Sequence, residues 1–290
     1  MKSIQNKVDF AGVIVVRNAN PNGDPLNGNR PRVTYDGLGE ISDVCLKRKI
    51  RNRLLDAGES IFVQSDDYRK DEHQSLRKRF EAGIKESIQP NKDRGAFREA
   101  VCEKWYDVRA FGQVFAFTGS GKSKGKDGVS HGVRGPVSIH PAFSVAPIVS
   151  SSIQITKSVS NEGDGSARGS DTMGLKHRVD HGVYVFYGSI SPQLATLTGF
   201  TDQDASALKK ALISLFENDC SSARPDGSMQ MYKLLWWVHD TANGKHSSAR
   251  VHRSLKVAVK DGLSDPRSVD DYVISLEELD GLKPEVISGR

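Results

Sequence analysis

The apolar positions of this chain change period from element to element, and those changes outline an architecture. Val8 to Val16 (VDFAGVIVV) is a β-branched run that reads as a buried first strand. The next stretch, Arg17 to Arg32 (RNANPNGDPLNGNRPR), is packed with turn formers and predicts a long loop. From Ser42 the period becomes helical, with Leu46, Ile50 and Leu54 at i, i+4, i+8 on one apolar face. Ser42 is a good N-cap, and Asp43 in the first turn complements the positive end of the helix dipole.

Further along, residues 60–65 predict a short strand, and 73–86 and 94–105 predict two polar helices. Residues 119–132 (GSGKSKGKDGVSHG) are a low-complexity basic loop. Residues 133–149 and 153–159 look extended, and 160–176 form a second loop rich in Gly, Ser and Asp. The remaining pattern predicts a strand at Gly182–Ile190, a helix at Ala205–Phe216 with Leu208, Leu212 and Leu215 on one face, and strands at Met229–Val238 and Val251–Val259. The last of these alternates with period 2. Strand, helix, strands, helix and strand in this order fit a ferredoxin-like or RRM-like α+β core. With no internal repeat and no clean linker, the whole chain, 1–290, reads as one domain with protrusions.

Charge sharpens this picture. The formal net charge is +5, but residues 261–290 carry eight acids against three bases, which leaves +10 on residues 1–260. Much of the excess sits on the helix after Ser42. Lys47 and Arg51 form one basic ridge beside the apolar stripe, with Arg48 between them, and Lys49 and Arg53 form another nearer the solvent side. No acid lies between Asp43 and Asp56 to offset them. Such a helix calls for an anionic partner or ample water. The flanking Gly37 and Gly39 would let phosphates approach backbone N–H groups. A solvated surface helix is the plain alternative.

Other candidate chemistry is sparser. Asp107 to Phe115 interleaves Arg109, Phe111 and Phe115, which at period 2 would place stacking and phosphate-binding groups on one face, or would simply supply core. Lys122, Lys124, Lys126 and Arg134, then Arg168 and Lys176, line the two flexible loops. Cys45, Cys102 and Cys220 are odd in number and unpaired by motif, so neither a zinc site nor a disulfide framework is supported, and no cofactor is expected. His177 and His181 are spaced i, i+4 but lack a third ligand. Gly119-Ser-Gly-Lys-Ser is not a P-loop. There is no signal core or membrane-length apolar run, and a cytoplasmic protein is expected. No helix-turn-helix pattern marks a repressor-like DNA binder.

Several segments together carry a resemblance. Asn20-Pro-Asn-Gly-Asp-Pro25, Ile41-Ser42 with Leu46-Lys-Arg-Lys-Ile-Arg51, Asp107-Val-Arg-Ala-Phe-Gly112, Gly132-Val-Arg-Gly-Pro-Val137 and His181-Gly-Val-Tyr-Val-Phe-Tyr-Gly188 occur in consistent order along nearly the whole chain. Together they resemble the RAMP-type backbone subunit of CRISPR Cascade surveillance complexes, and most of all its subtype I-C version. The resemblance implies an RRM-like palm with finger-like (about 60–132) and thumb-like (160–176) insertions. It implies several copies polymerised along one CRISPR RNA, in company with other Cascade subunits, holding the guide for pairing with a target DNA strand. Ser42, Lys47 and Arg51 match positions at the helix start that contact the RNA backbone in relatives, and Arg48 is counted with them in the expected RNA-binding set. Phe111 and Gly112 match the Phe-Gly near the guide. Arg109, Arg134, Arg168 and Lys176 complete the expected RNA-binding set, and Met173 is a candidate wedge between bases. Val44 and Cys45 stand where other subtypes carry polar residues. Gly23-Asp24-Pro25-Leu26 also resembles the loop of type III subunits in which an aspartate supports RNA cleavage, so an endoribonuclease using Asp24 is the alternative; an Asp24 that merely caps a turn is the plain one.

Overall fold

The computed structural model describes residues 2–85, 88, 93–116, 130–156, 158 and 173–290. Its elements in chain order are β1 (Val8–Ala19), β2 (Gly23–Asp24), β3 (Arg30–Pro31), β4 (Leu38–Ile41), α1 (Asp43–Asp56), α2 (Leu76–Gly83), α3 (Arg94–Lys104) and α4 (Tyr106–Phe111). There follow β5 (Gly112–Ala116), β6 (Ser130–Arg134), β7 (Val137–Ile139), β8 (Ala142–Pro147), β9 (Ser150–Thr156), β10 (Met173–Ile190), α5 (Pro192–Thr198) and α6 (Asp202–Ile213). The chain ends with β11 (Met229–Val238), α7 (Ser248–Ser254), β12 (Leu255–Val259), β13 (Tyr272–Leu276) and β14 (Glu285–Ser288).

The apolar β1 run has a direct cause. β1 lies between β10 and β11 in an antiparallel sheet ordered β14-β11-β1-β10-β8-β4, with β7 and β9 also paired to β10. Both of its edges are therefore paired, and because both of its faces are also packed against other elements its apolar residues need not alternate. On one face α1 and α6 set Leu46, Ile50, Leu54, Leu208 and Leu212 against Phe10, Ile14 and Val16. On the other, α7 and the β12–β13 hairpin set Val251, Leu255 and Tyr272 against Ala11, Val13 and Trp237. A third cluster gathers Phe62, Phe97, Val101, Trp105 and Phe115 from the segment between α1 and β6. The expected α+β palm with an antiparallel sheet is present. Among the described residues no helix is long and apolar enough to cross a membrane.

Local readings needed correction where a distant partner decided the backbone. Residues 60–65 form no strand, because the N–H groups of Phe62 and Val63 donate to the Asp107 carboxylate (2.7 and 3.0 Å) rather than to a neighbouring strand. Residues 107–115 are not one strand either: α4 ends at Phe111 and β5 begins at Gly112, so Arg109, Phe111 and Phe115 share no strand face. Val251–Val259 begins as α7, capped by Ser247, and only Leu255 onward is strand. The first polar helix spans only 76–83. Within 160–176, Met173–Lys176 already belong to β10 and pair with β9, Met173 opposite Thr156; residues 160–172 lie outside the described set, as do 119–129 of the earlier loop.

Three histidines, one buried and two half-buried, make the fold sensitive to acid. Burial lowers the pKa of His252 on α7 against the opposing pull of Asp9, and burial likewise lowers His131 and His181. In the unfolded chain each returns toward 6.5. The unfolded state therefore takes up protons first on acidification, and stability present at neutral pH is lost as pH falls through and below that value. Thermal melts at pH 7.5 and 5.5 should show a lower Tm at the acid pH. His252→Gln, which can still donate to the Gly188 carbonyl that His252 Nε2 contacts at 3.1 Å, should reduce the difference.

Candidate nucleic-acid interface

The start of α1 is tied to the turn-rich loop before it. Ser42 Oγ accepts from Cys45 N–H (3.3 Å) and donates to Asn22 Oδ1 (2.9 Å), which also accepts Ser42 N–H (2.9 Å). The loop is itself fixed: Asn20 Nδ2 donates to the Asn29 carbonyl (2.7 Å), and Asn29 N–H to the Asp24 carbonyl (2.8 Å). Asp24 Oδ1 accepts from Leu26 N–H (3.2 Å) and lies 3.7 Å from an Arg32 guanidinium nitrogen, so Asp24 caps a turn here. Among the described residues no three His, Cys, Asp or Glu side chains converge as a metal site.

The two basic ridges of α1 are not left without acids. Lys47 pairs with Asp43 (3.0 Å), Arg48 with Asp67 (3.0 Å), Arg51 with Asp107 (2.9 Å), Lys49 with Asp219, and Arg53 with Glu217 (3.3 Å) and Asp56 (3.2 Å). For the two lysines the expected exposure is also inverted. Lys49 is buried at 4%, whereas Arg48 is exposed and Lys47 half-buried. Burial lowers the Lys49 pKa, with Asp219 opposing. The acids that cause this come mostly from outside the helix, so a search along the helix cannot find them.

Asp107 organises the next part of the site. It is buried, accepts Phe62 and Val63 N–H, and receives Arg51 Nε, while the Arg51 guanidinium lies 5.3 Å from the Phe111 ring centroid. Phe111 thus stands beside Arg51 as a half-buried partner. Arg109 points elsewhere: it grips Asp204 through Nε (3.2 Å) and Nη2 (2.7 Å) and the Cys102 carbonyl through Nη1 (2.6 Å). It joins α4 to α6, and its donors are engaged within the fold.

Gly112 sits at φ 77°, and a Cβ there would stand 2.2 Å from the Val133 carbonyl and 2.7 Å from Gly135 N. Two backbones meet at this point, which only glycine allows. Gly112→Ala should cost about 2–3 kcal/mol in a denaturant titration, from forced positive φ plus displaced backbone. A loss under ~1 kcal/mol would show the strand pair to be slack.

Arg134, opposite Gly112 in the β5–β6 pair, is exposed and has no carboxylate partner among the described residues. Met173 and Lys176 lie on the β9–β10 ribbon, Met173 exposed and Lys176 half-buried opposite Ile153. Arg168 lies outside the described residues. His177 and His181 are on one strand, not a helix, and His177 Nδ1 meets Ser152 Oγ at 2.8 Å. Sequence reasoning passed over Arg17 and Arg30, both exposed and without a described carboxylate partner, and over Asn22, which anchors the cap. Their only signal was position in an Asn- and Pro-rich loop next to the basic helix.

A central antiparallel sheet with helices on it, joined to a loop-capped basic helix, is an α+β fold that solved structures share. A chain of a "CRISPR RNA-guided surveillance complex, pre-nicking" has a TM-score of 0.53 at 16% identity, covering 91% of this chain and 85% of that one. A chain of another "CRISPR RNA-guided surveillance complex" gives 0.44 at 16% identity, covering 89% and 78%. The family model described as "CRISPR-associated protein Cas7" matches residues 6–277, and the chain belongs to that family. The CRISPR-associated protein Cas7 of Haloferax volcanii is 27% identical over 283 residues, covering 94% of this chain and 82% of that protein.

Proposed function

We propose that this chain is the CRISPR-RNA-binding backbone subunit of a type I-C Cascade complex. Several copies polymerise along one guide RNA, assemble with other Cascade subunits and present the guide for pairing with target DNA. The observation that carries this reading is the Cas7 family match over residues 6–277, on a chain that has the α+β palm. The segment 60–132, with its own apolar cluster, would be the finger insertion and 160–176 the thumb. Arg134, Arg30 and Arg17, free of described acids, and Lys47 and Arg48 on the outer side of α1, supply the phosphate contacts. Specificity then resides in base pairing, and the protein reads backbone and shape.

Arg134→Ala and Lys47→Ala should each weaken RNA binding about equally across unrelated guide sequences and reduce the salt slope by about 1. A change in sequence preference would rule out the phosphate role. The subunit acts as a scaffold, not a nuclease, a reading supported by the capping role of Asp24. Incubation of the assembled complex with complementary RNA and divalent metal should leave that RNA intact. Cleavage that Asp24→Ala abolishes would replace the scaffold with an endoribonuclease.

A further inference from the structure

We propose that Tyr35 is a stacking platform for one unpaired base of the bound RNA, an inference that rests on the RNA-scaffold reading. Tyr35 is fully exposed, at 104% of its reference area. It carries no hydrogen bond or ring contact among the described residues, yet the backbone beneath it is held firmly. Thr34 N–H donates to the Leu38 carbonyl (2.8 Å), Gly37 N–H to the Thr34 carbonyl (3.1 Å) and Glu40 N–H to the Arg32 carbonyl (3.0 Å). Leu38 N–H also donates to Thr34 Oγ1 (3.2 Å), and Gly37 takes the positive φ of 77° that closes the turn. A hydrogen-bonded turn therefore presents a large aromatic ring that packs on none of the described residues.

Its place in the fold selects the partner. On one side the hairpin runs through β4 into Ser42 and α1. On the other, Ile148 N–H donates to the Gly37 carbonyl at 3.1 Å, which bonds the turn to the base of the β9–β10 ribbon that carries Met173 and Lys176. Tyr35 thus sits on a turn tied on one side to the strand that leads into α1 and on the other to the segment that leads into β9. Asp36, exposed beside it, repels phosphate, so the surface offered is suited to a base face rather than the RNA backbone. Stacking of a base on an exposed aromatic ring is tolerant of sequence, as a guide scaffold requires.

The test uses the full chain and a single-stranded RNA with 2-aminopurine placed at successive positions. Wild type should quench the probe at one position per protein copy. Tyr35→Ala should lose that quenching and weaken binding about 5- to 150-fold with an unchanged salt slope; Tyr35→Trp should retain both. Wild-type binding that Tyr35→Ala leaves unaltered, quenching included, overturns this inference alone. So does a Tyr35→Ala chain with intact quenching but fewer copies per RNA, which would assign the ring to a neighbouring copy. A wild-type chain that binds no RNA overturns the scaffold reading and this inference with it.

Discussion

Asp107→Ala is expected to destabilise the protein by roughly 3–5 kcal/mol, the range found when one partner of a buried charge pair is removed. Asp107 is 1% exposed and accepts from Phe62 N–H, Val63 N–H and Arg51 Nε. Removing it leaves two backbone donors and a guanidinium without acceptors where water enters poorly, at about 1–3 kcal/mol per orphaned group. The damage should reach three elements together: the end of α1 that holds Arg51, the 61–63 turn and α4. Asp107→Asn should fall between, since it keeps an acceptor oxygen but turns an amide toward a donor. Urea titrations of the three proteins would check the order. A loss of under 1 kcal/mol for Asp107→Ala would mean that Arg51 and the turn find other partners.

The second large effect concerns Asp219, and it separates charge from packing. Lys49 is nearly enclosed, with its ammonium paired to Asp219 and 5.6 Å from the Phe216 ring centroid; Arg224 also reaches Asp219 at 3.2 Å. Asp219→Ala strands the Lys49 ammonium and is expected to cost about 3–5 kcal/mol. Lys49→Met removes the other partner but leaves Asp219 with Arg224, and an apolar side chain of similar length suits the site. Its cost should stay within ~1 kcal/mol of wild type. Equal losses for the two variants would show that the pair, rather than the stranded charge, governs stability. RNA affinity should survive Lys49→Met, since Lys49 faces inward.

These two residues also show what the sequence discloses and what it hides. The β1 run, the Ser42 cap, the Leu46–Ile50–Leu54 stripe and the β11 strand are local patterns, and each forms as its period implies. The α+β class follows from them. Legibility failed where a side chain from far along the chain replaced a local partner. The Asp107 carboxylate takes the N–H groups that residues 60–65 would have given to a strand. Asp219, 170 positions from Lys49, turns a residue read as solvent-facing into a buried one. Arg109 is drawn to Asp204, 95 positions away, and so leaves the set of expected RNA contacts. Val251 joins the core beside Trp237 from a short helix, which its period-2 spacing disguised. Of the candidate interface, the helix start was visible because capping is local. The exposed Arg17, Arg30 and Tyr35 were not, because exposure is a property of the folded surface.

The most direct test of the account is the number of protein copies bound per RNA, measured by native mass spectrometry on RNAs of increasing length and unrelated sequence. A polymerising backbone scaffold predicts a stepwise rise in copies at a constant number of nucleotides per copy, the same for every sequence. A fixed stoichiometry independent of RNA length, or a count that changes with sequence at one length, would contradict it.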